Sequence, residues 1–524
     1  MAQERKINPW LIAPVVAMAA FMEVLDISIA NVALRHIAGD MSASQDESTW
    51  ILTSYLVTNA MVLPASGWLS TVLGRKNCFL ACIAGFSVSS LACGLAPNLY
   101  FLIFFRAIQG LTGGGLQPNA QAILADAFPP EKRGMAFSLY GIATVFAPAI
   151  GPTLGGWITD NFSWRWVFLI NVPVGIMLFG LITALIQDPV ELVAERARRL
   201  KAGIKIDYLG FSLLIIGLGC LQIMLDKGQE DDWFGSLFIT ALAIVSAVAL
   251  ISFILWELGQ ADPIVDLRLF ADRNFAFGNM LMLMLGFVLL GSTALLPILV
   301  QSQFGYTATS AGLVLSPGGF AIILMLPLVG RFAGRVDPRL FIVAGLIITS
   351  ATLLYIARIS PFTDYSTLMW ARVVQGAGLA LLFIPINLTA YVNVPRTKSS
   401  AAASIINLSR NLGGAIGISV ITTMLARHRQ IHQNYLVPHA APGQPGYDHL
   451  MTTLSGHHAL AAQAPGLVDP HALSQVYARV QDQASMLSFL DGFQFMGIAF
   501  LVLAPIVLLM KRPPIGAAGP RGAH

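Results

Sequence analysis

The sequence predicts an all-α membrane protein with fourteen transmembrane helices, arranged 6+2+6. Three observations predict it. First, the 524 residues are 56% hydrophobic and only 11% charged, whereas a soluble domain carries about 25% charged residues. Second, the apolar residues gather into fourteen runs of the ~20 residues that cross a bilayer as a helix. Third, the Lys and Arg between these runs favour one side. The composition excludes an ordinary soluble enzyme, a nucleic-acid binder and a disordered chain.

The runs fall near 10–34, 49–72, 78–96, 100–123, 135–158, 166–187, 207–226, 234–256, 275–300, 310–330, 340–358, 367–391, 400–425 and 486–510. They are too long and continuous for the alternating segments of a membrane barrel. The first run follows a basic start, as in a signal peptide, but it is longer than a leader core and contains Glu23 and Asp26. It is expected to be an uncleaved first span. Cys78, Cys82, Cys93 and Cys220 all lie in apolar runs without a CxxC pair and read as small core hydrophobes.

Orientation follows from the cations. With the N-terminus inside, Arg75 and Lys76, Lys132 and Arg133, the cluster from Arg196 to Lys205, and Arg331, Arg335 and Arg339 are all inside. So are Arg5, Lys6, Arg268, Arg273, Arg396, Lys398, Lys511, Arg512 and Arg521. The inside excess is roughly threefold, which predicts cytoplasmic termini and an even number of spans.

Two patterns recur along the chain. Arg106, Gln109 and Gly110 return 266 residues later as Arg372, Gln375 and Gly376. The loop beginning at Gly67 returns 263 residues later at Gly330. Two patterns with nearly one shift predict duplicated halves. The shift exceeds what six helices need, so the seventh and eighth spans read as an insertion. The expected units are a six-helix bundle over 1–190, two inserted helices with their flanking loop over 191–262, and a six-helix bundle over 263–524.

Several stretches carry a family resemblance through loops as well as spans. They are LDISIANVAL (25–34), GPTLGGWITDNFSWRWVFLINVPVG (151–175), LQIMLDKGQEDDWF (221–234), WELGQADPIVDLRLFADRNF (256–275) and FGYTATSAGL (304–313). The chain resembles the major facilitator superfamily, in its fourteen-span drug:proton antiporter branch, and within it the EmrB type of multidrug exporter. The resemblance implies the major facilitator fold, residence in a bacterial inner membrane, and work with a periplasmic adaptor protein and an outer-membrane channel. It also ties Asp26 to proton coupling, makes Arg106 the start of an R-x-x-Q-G motif, and makes 151–156 the antiporter motif.

The residues themselves support a proton site. Glu23 and Asp26 stand three apart on one face of the first span, with Ala19, Met22, Ala30 and Ala33, small enough to line a cavity. A charge at mid-membrane costs several kcal/mol unless it meets water or a partner. The competing reading is a static pair neutralised by Arg106 or Arg410. Arg106 keeps its proton, so it either modulates a carboxylate as helices rock or buttresses backbone carbonyls. Gln109, Gln117, Arg372, Asn387, Asn407 and Arg410 are candidates for the substrate cavity, with structural packing as the rival role. Pro148, Gly151, Pro152 and Gly155 suit bending and close packing. In the 67–76 loop Thr71 stands where the family has Asp, with Gly334 at the repeated position, while Gly74 and Arg75 remain as gating elements, a helix C-cap and lipid anchors. Asp226 and Glu257 read as interfacial, and Trp164, Arg165 and Trp166 as an aromatic belt.

The last external loop, 426–485, holds His428, His432, His439, His449, His457, His458 and His471, seven of the nine histidines. No spacing there is diagnostic of a metal, and none is expected. Residues 469–485 look weakly helical, and the loop is one contact surface for an adaptor. The sequence contains no phosphate loop, HExxH or nucleophile elbow, and no cofactor is expected. The reading is a proton-coupled antiporter exporting lipophilic or amphipathic toxic compounds by alternating access, with small lipophilic substrates, protons and the lipid bilayer as partners. A proton-coupled symporter importing a small solute is the alternative.

Overall fold

A computed structural model describes residues 8–202, 207–260, 263–332, 336–458 and 470–511. Arg5, Lys6, Lys205, Gly334, Arg335, Arg512 and Arg521 lie outside the described residues. The apolar runs are helices, and no strand occurs among the described residues. Asn8 accepts the Trp10 N–H to cap α1 (Pro9–Asp40). Ser44 and Glu47 form a capping box at the start of α2 (Gln45–Val62). After a 59° bend, α3 (Ser66–Leu73) continues that run. Then come α4 (Arg75–Gly94), the paired α5 (Leu99–Gly113) and α6 (Leu116–Ala127), and α7 (Pro130–Asn161). Pro148 lies inside α7 where it bends by 44°. The short α8 (Trp166–Leu169) leads into α9 (Asn171–Leu185).

A charged helix, α10 (Val190–Ala202), precedes α11 (Tyr208–Lys227) and α12 (Leu237–Gly259). The second half contains α13 (Arg273–Gln303), α14 (Ala308–Phe332), α15 (Pro338–Ile356), α16 (Tyr365–Tyr391) and α17 (Ser399–Leu436). It ends with α18 (Pro445–His458) and α19 (Pro470–Leu501).

Among the described residues, eleven helical segments are long and apolar enough to cross a membrane, and thirteen if each bent pair counts as one span. The protein is therefore a multi-pass membrane protein. α17 is more polar than these, because it carries Asn407, Arg410 and Asn411 in its first half. It tolerates them because α13, α19, α6 and α3 surround it, and polar groups in membranes turn toward protein. α17 runs eleven residues past the expected end and α19 starts at Pro470, so much of the expected 426–485 loop is helix.

Packing repeats between the halves. α1 packs on α7, α2 on α5, and α4 on α5 and α9. In the same way α13 packs on α17, α14 on α16, and α15 on α16 and α19. α11 lies against α2 and α12 against α11, leaving Leu237, Ile244, Val248, Ile251 and Leu255 outward. That apolar outer face suits lipid, which offers side chains no polar partner.

The halves meet where α7 crosses α14 and where α17 crosses α3 and α6. These crossings lie toward the end of the bundle that carries Arg75, Lys132, Arg133, Arg331 and Lys398, here called the basic end. A Cβ on Gly134 would stand 2.6 Å from the Gly330 carbonyl oxygen, so only paired glycines let these backbones touch. Ser138 donates to the Leu326 carbonyl at 3.0 Å. Across the other crossing, Ser66 meets Ser404 at 2.9 Å and Ser70 meets Ser400 at 3.0 Å.

Candidate functional site

α1 carries both acidic residues into the bundle, where Glu23 and Asp26 are buried. Their small neighbours Ala19, Met22, Ala30 and Ala33 are fully packed rather than lining open space, which corrects the expectation of a cavity wall. One cause is the glycine pair on α7. A Cβ on Gly151 would stand 2.2 Å from Ser28 Oγ, and Gly155 lies against Ile29. Pro152, between them, is exposed. Glycine there lets α7 close onto α1.

Asp26 is held by three side chains from two helices, α5 and α9. Arg106 Nη1 donates to Oδ2 at 2.5 Å. Gln109 Nε2 and Asn171 Nδ2 donate to Oδ1 at 3.1 and 2.7 Å. Arg106 also donates to Gln109 Oε1 at 2.8 Å and to the Ile51 carbonyl at 3.2 Å. Its guanidinium lies 4.3 Å from the Tyr55 ring centroid and 5.5 Å from that of Phe168, so cation–π attraction adds to the ion pair. Asn171 bridges onward to Ser90 Oγ at 3.1 Å. The structure therefore places Gln109 in the Asp26 cluster.

Glu23, one turn away, has different partners. Asn59 donates to its Oε1 at 3.1 Å, and Gln117 and the Arg410 guanidinium face the same carboxyl. Arg410 donates to Gln117 Oε1, which also accepts from Tyr140 at 3.1 Å. Glu23 thus looks toward the junction between halves, whereas Asp26 is enclosed by the first half. Asn407 and Gln121 exchange bonds of 3.0 and 3.4 Å across the same junction, nearer the basic end.

In the second half, Arg372 donates to Gln375 Oε1 at 2.6 Å, Ser292 Oγ at 3.3 Å and Thr293 Oγ1 at 3.2 Å. Asn387 is buried and donates to the Phe383 carbonyl of its own helix at 2.8 Å.

Gly74, at φ +86°, joins α3 to α4. A Cβ there would stand 2.7 Å from Asp188 Oδ2. Arg75 is buried rather than a lipid anchor. It pairs with Asp126 and donates to Ser399 Oγ at 2.8 Å, linking the halves at the basic end. Trp164 is also buried, and its indole donates to Asp40 at 2.9 Å, so it is a packing residue rather than part of an interfacial belt. Trp166 remains exposed. Asp226 accepts from Thr53, and Glu257 accepts the Ile264 N–H at 3.1 Å.

Sequence reasoning missed Asn171, Asn59, Tyr55, Asp126 and Ser292. Asn171 sits alone among apolar residues in LINVPVG, and that isolation was the available signal. His428 and His432 converge with Asp491 at the far end, a grouping that no local spacing displays.

The sequence profile of the Major Facilitator Superfamily matches residues 16–418. The chain is 37% identical over 510 residues to "Multidrug export protein EmrB" of Escherichia coli (strain K12), covering 97% of this chain and 96% of that one. It is 37% identical over 516 residues to "Fatty acid resistance protein FarB" of Neisseria gonorrhoeae, with the same coverage of 97% and 96%. Among solved structures, the proton:xylose symporter XylE aligns with a TM-score of 0.61 at 13% identity, over 95% of each chain. That likeness supports the fold alone. The chain belongs to the Major Facilitator Superfamily and is a membrane transporter, not an enzyme.

Proposed function

We propose that the protein is a proton-coupled antiporter that exports lipophilic or amphipathic toxic compounds across a bacterial inner membrane. The observation that carries the reading is the buried Asp26–Arg106 pair, closed by Gln109 and Asn171. The likeness to a multidrug exporter over nearly the whole chain supports the direction of transport. Protonating Asp26 removes the ion pair and leaves a buried guanidinium without its counter-charge, at a cost of about 3–5 kcal/mol for such a broken pair. Relief comes when α1 and α5 shift with their half, so the proton selects between two arrangements of the halves. The membrane potential supplies about 2.3 kcal/mol per charge per 100 mV to drive the cycle.

In this reading the chain has fourteen spans, α17 being the polar one, in units 1–190, 191–262 and 263–524. The basic end is cytoplasmic by the positive-inside rule, as are both termini. The present arrangement is closed at that end. Substrate lies between the halves near Glu23, Gln117 and Arg410, with Arg372 and Asn407 on the second-half side. Glu23, Asp26 and Arg106 couple the proton, and Gly74, Arg75 and the α7 motif shape the gate. The far-end segment 426–485 meets a periplasmic adaptor that leads to an outer-membrane channel.

Proteoliposomes with a pH-sensitive dye inside test the proposal. Substrate-evoked proton movement is expected in wild type and is expected to disappear in Asp26→Asn, which is expected to stay folded with a melting temperature lowered by the lost ion pair. Full proton movement in that variant would sink the assignment.

A further inference from the structure

Two histidines at the far end of α17 share one carboxylate from α19. His428 and His432 are four residues apart, one above the other on the helix surface. His428 Nδ1 lies 2.7 Å and His432 Nε2 2.6 Å from the same atom, Asp491 Oδ2. The two ring centroids are 6.3 Å apart. Among the described residues, Asp491 has these two histidines as its ion-pair partners. The neighbouring cation Arg429 instead donates to Gln481 at 3.1 Å. All three side chains are 24–35% exposed, so solutes reach them.

From this geometry we propose that His428, His432 and Asp491 form a binding site for a divalent cation of the zinc class, bridging α17 and α19. Two imidazoles and a carboxylate are the ligand types such ions select. The three ligand atoms lie within 4.8 Å of one another. Bonds of about 2.0–2.2 Å from one ion place ligand atoms roughly 3.3 Å apart in a tetrahedron. The nitrogen–oxygen separations of 2.7 and 2.6 Å therefore open by roughly 0.6–0.7 Å, within rotation of the half-exposed rings. Each imidazole then faces the ion with its lone pair instead of a proton toward Asp491. Three protein ligands leave one position for water or for another donor. The site has a structural consequence, because it fastens the extension of α17 to the second half of α19, which no covalent link joins locally.

The test uses the full chain, purified through a histidine-free tag and stripped with chelator. Co2+ serves as the visible probe, and Zn2+ competes with it. Wild type is expected to bind one Co2+ per chain with the strong visible bands of low coordination number, and Zn2+ to displace it and raise the melting temperature. His432→Ala and the near-isosteric Asp491→Asn are each expected to weaken binding at least about tenfold, since even outer-shell partners of a metal carry that much. Both are expected to lose the Zn2+-dependent rise in melting temperature. His439→Ala, a residue of the same segment bonded to the Tyr435 carbonyl, is expected to behave as wild type. Absence of stoichiometric binding, or binding retained in a His428→Ala/His432→Ala double variant, would overturn the site. Because every readout is equilibrium binding or melting, the outcome is independent of whether the chain transports protons.

Discussion

Ser292 stands against Arg372 as Asp26 stands against Arg106. Both pairs are separated by the same 266-residue shift that relates the two arginines. In the first half the guanidinium meets a carboxylate at 2.5 Å, and in the second it meets a hydroxyl at 3.3 Å. The repeat has kept the cation, its glutamine and the packing of α13 on α17, and lacks the acid. Only one half can then lose its ion pair to a proton, while the other holds a positive charge whose described partners are neutral.

This asymmetry predicts the effect of Ser292→Asp. A carboxylate there would pair with Arg372 and neutralise it. Export of acidic lipophiles is expected to fall at least about tenfold, the equivalent of one lost charge-assisted bond of ~1.4 kcal/mol or more, while cationic compounds are still exported. Transport of matched acidic and cationic compounds in vesicles checks this, and equal losses for both would refute it.

Glu23 and Asp26 are predicted to separate functionally. Glu23→Gln keeps the Asn59 bond and leaves the Asp26 cluster intact, so proton coupling is expected to weaken without the complete loss of Asp26→Asn, and the substrate range to change. Asn171→Ala strips one donor from Asp26 and one from Ser90. It is expected to cost about 1–3 kcal/mol of stability and to weaken coupling several-fold. Melting curves and proton flux measured on the same preparations decide the point.

At the basic end, Gly134→Ala places a methyl 2.6 Å from the Gly330 carbonyl oxygen. Two backbones cannot yield as a flexible side chain does, so the closed arrangement is expected to lose about 1–3 kcal/mol. Reagents added from the basic side should then modify a cysteine introduced at Ser138 faster, and transport should drop. Unchanged accessibility would exclude a gate at this crossing.

The Arg75–Asp126 pair is predicted to couple energetically. Arg75→Ala leaves the Asp126 carboxylate without this partner and is expected to destabilise the closed end by about 3–5 kcal/mol. Asp126→Ala in the same chain is expected to recover part of that loss. A coupling energy of about 1–3 kcal/mol in a double-mutant cycle is the anticipated result, and simple additivity would contradict it.

Much of the fold was legible from residue order. The apolar runs fall within a few residues of helices from α1 to α16, because a bilayer demands one length and one chemistry of each segment. The duplicated R-x-x-Q-G pattern announced the repeated packing, and Asp26 and Arg106 stood out because charges in apolar runs need a reason. The reach of α17 to Leu436 and the start of α19 at Pro470 were less legible, since outside the membrane apolarity no longer marks a helix.

What the sequence alone determined is the order of the apolar helical segments and the charges held within them. Those follow from local composition meeting a uniform solvent. Only the tertiary structure decided which charge meets which. Glu23 and Asp26 share a helical face by spacing, yet one turns to Asn59 and the junction near Arg410, and the other to Arg106 and Asn171. Arg75 looked like a surface anchor and is buried against Asp126, and His428 and His432 acquire Asp491 from a helix far along the chain. Side-chain partners depend on how helices cross, and crossings are set by small residues such as Gly151 and Gly330 whose neighbours lie elsewhere in the sequence.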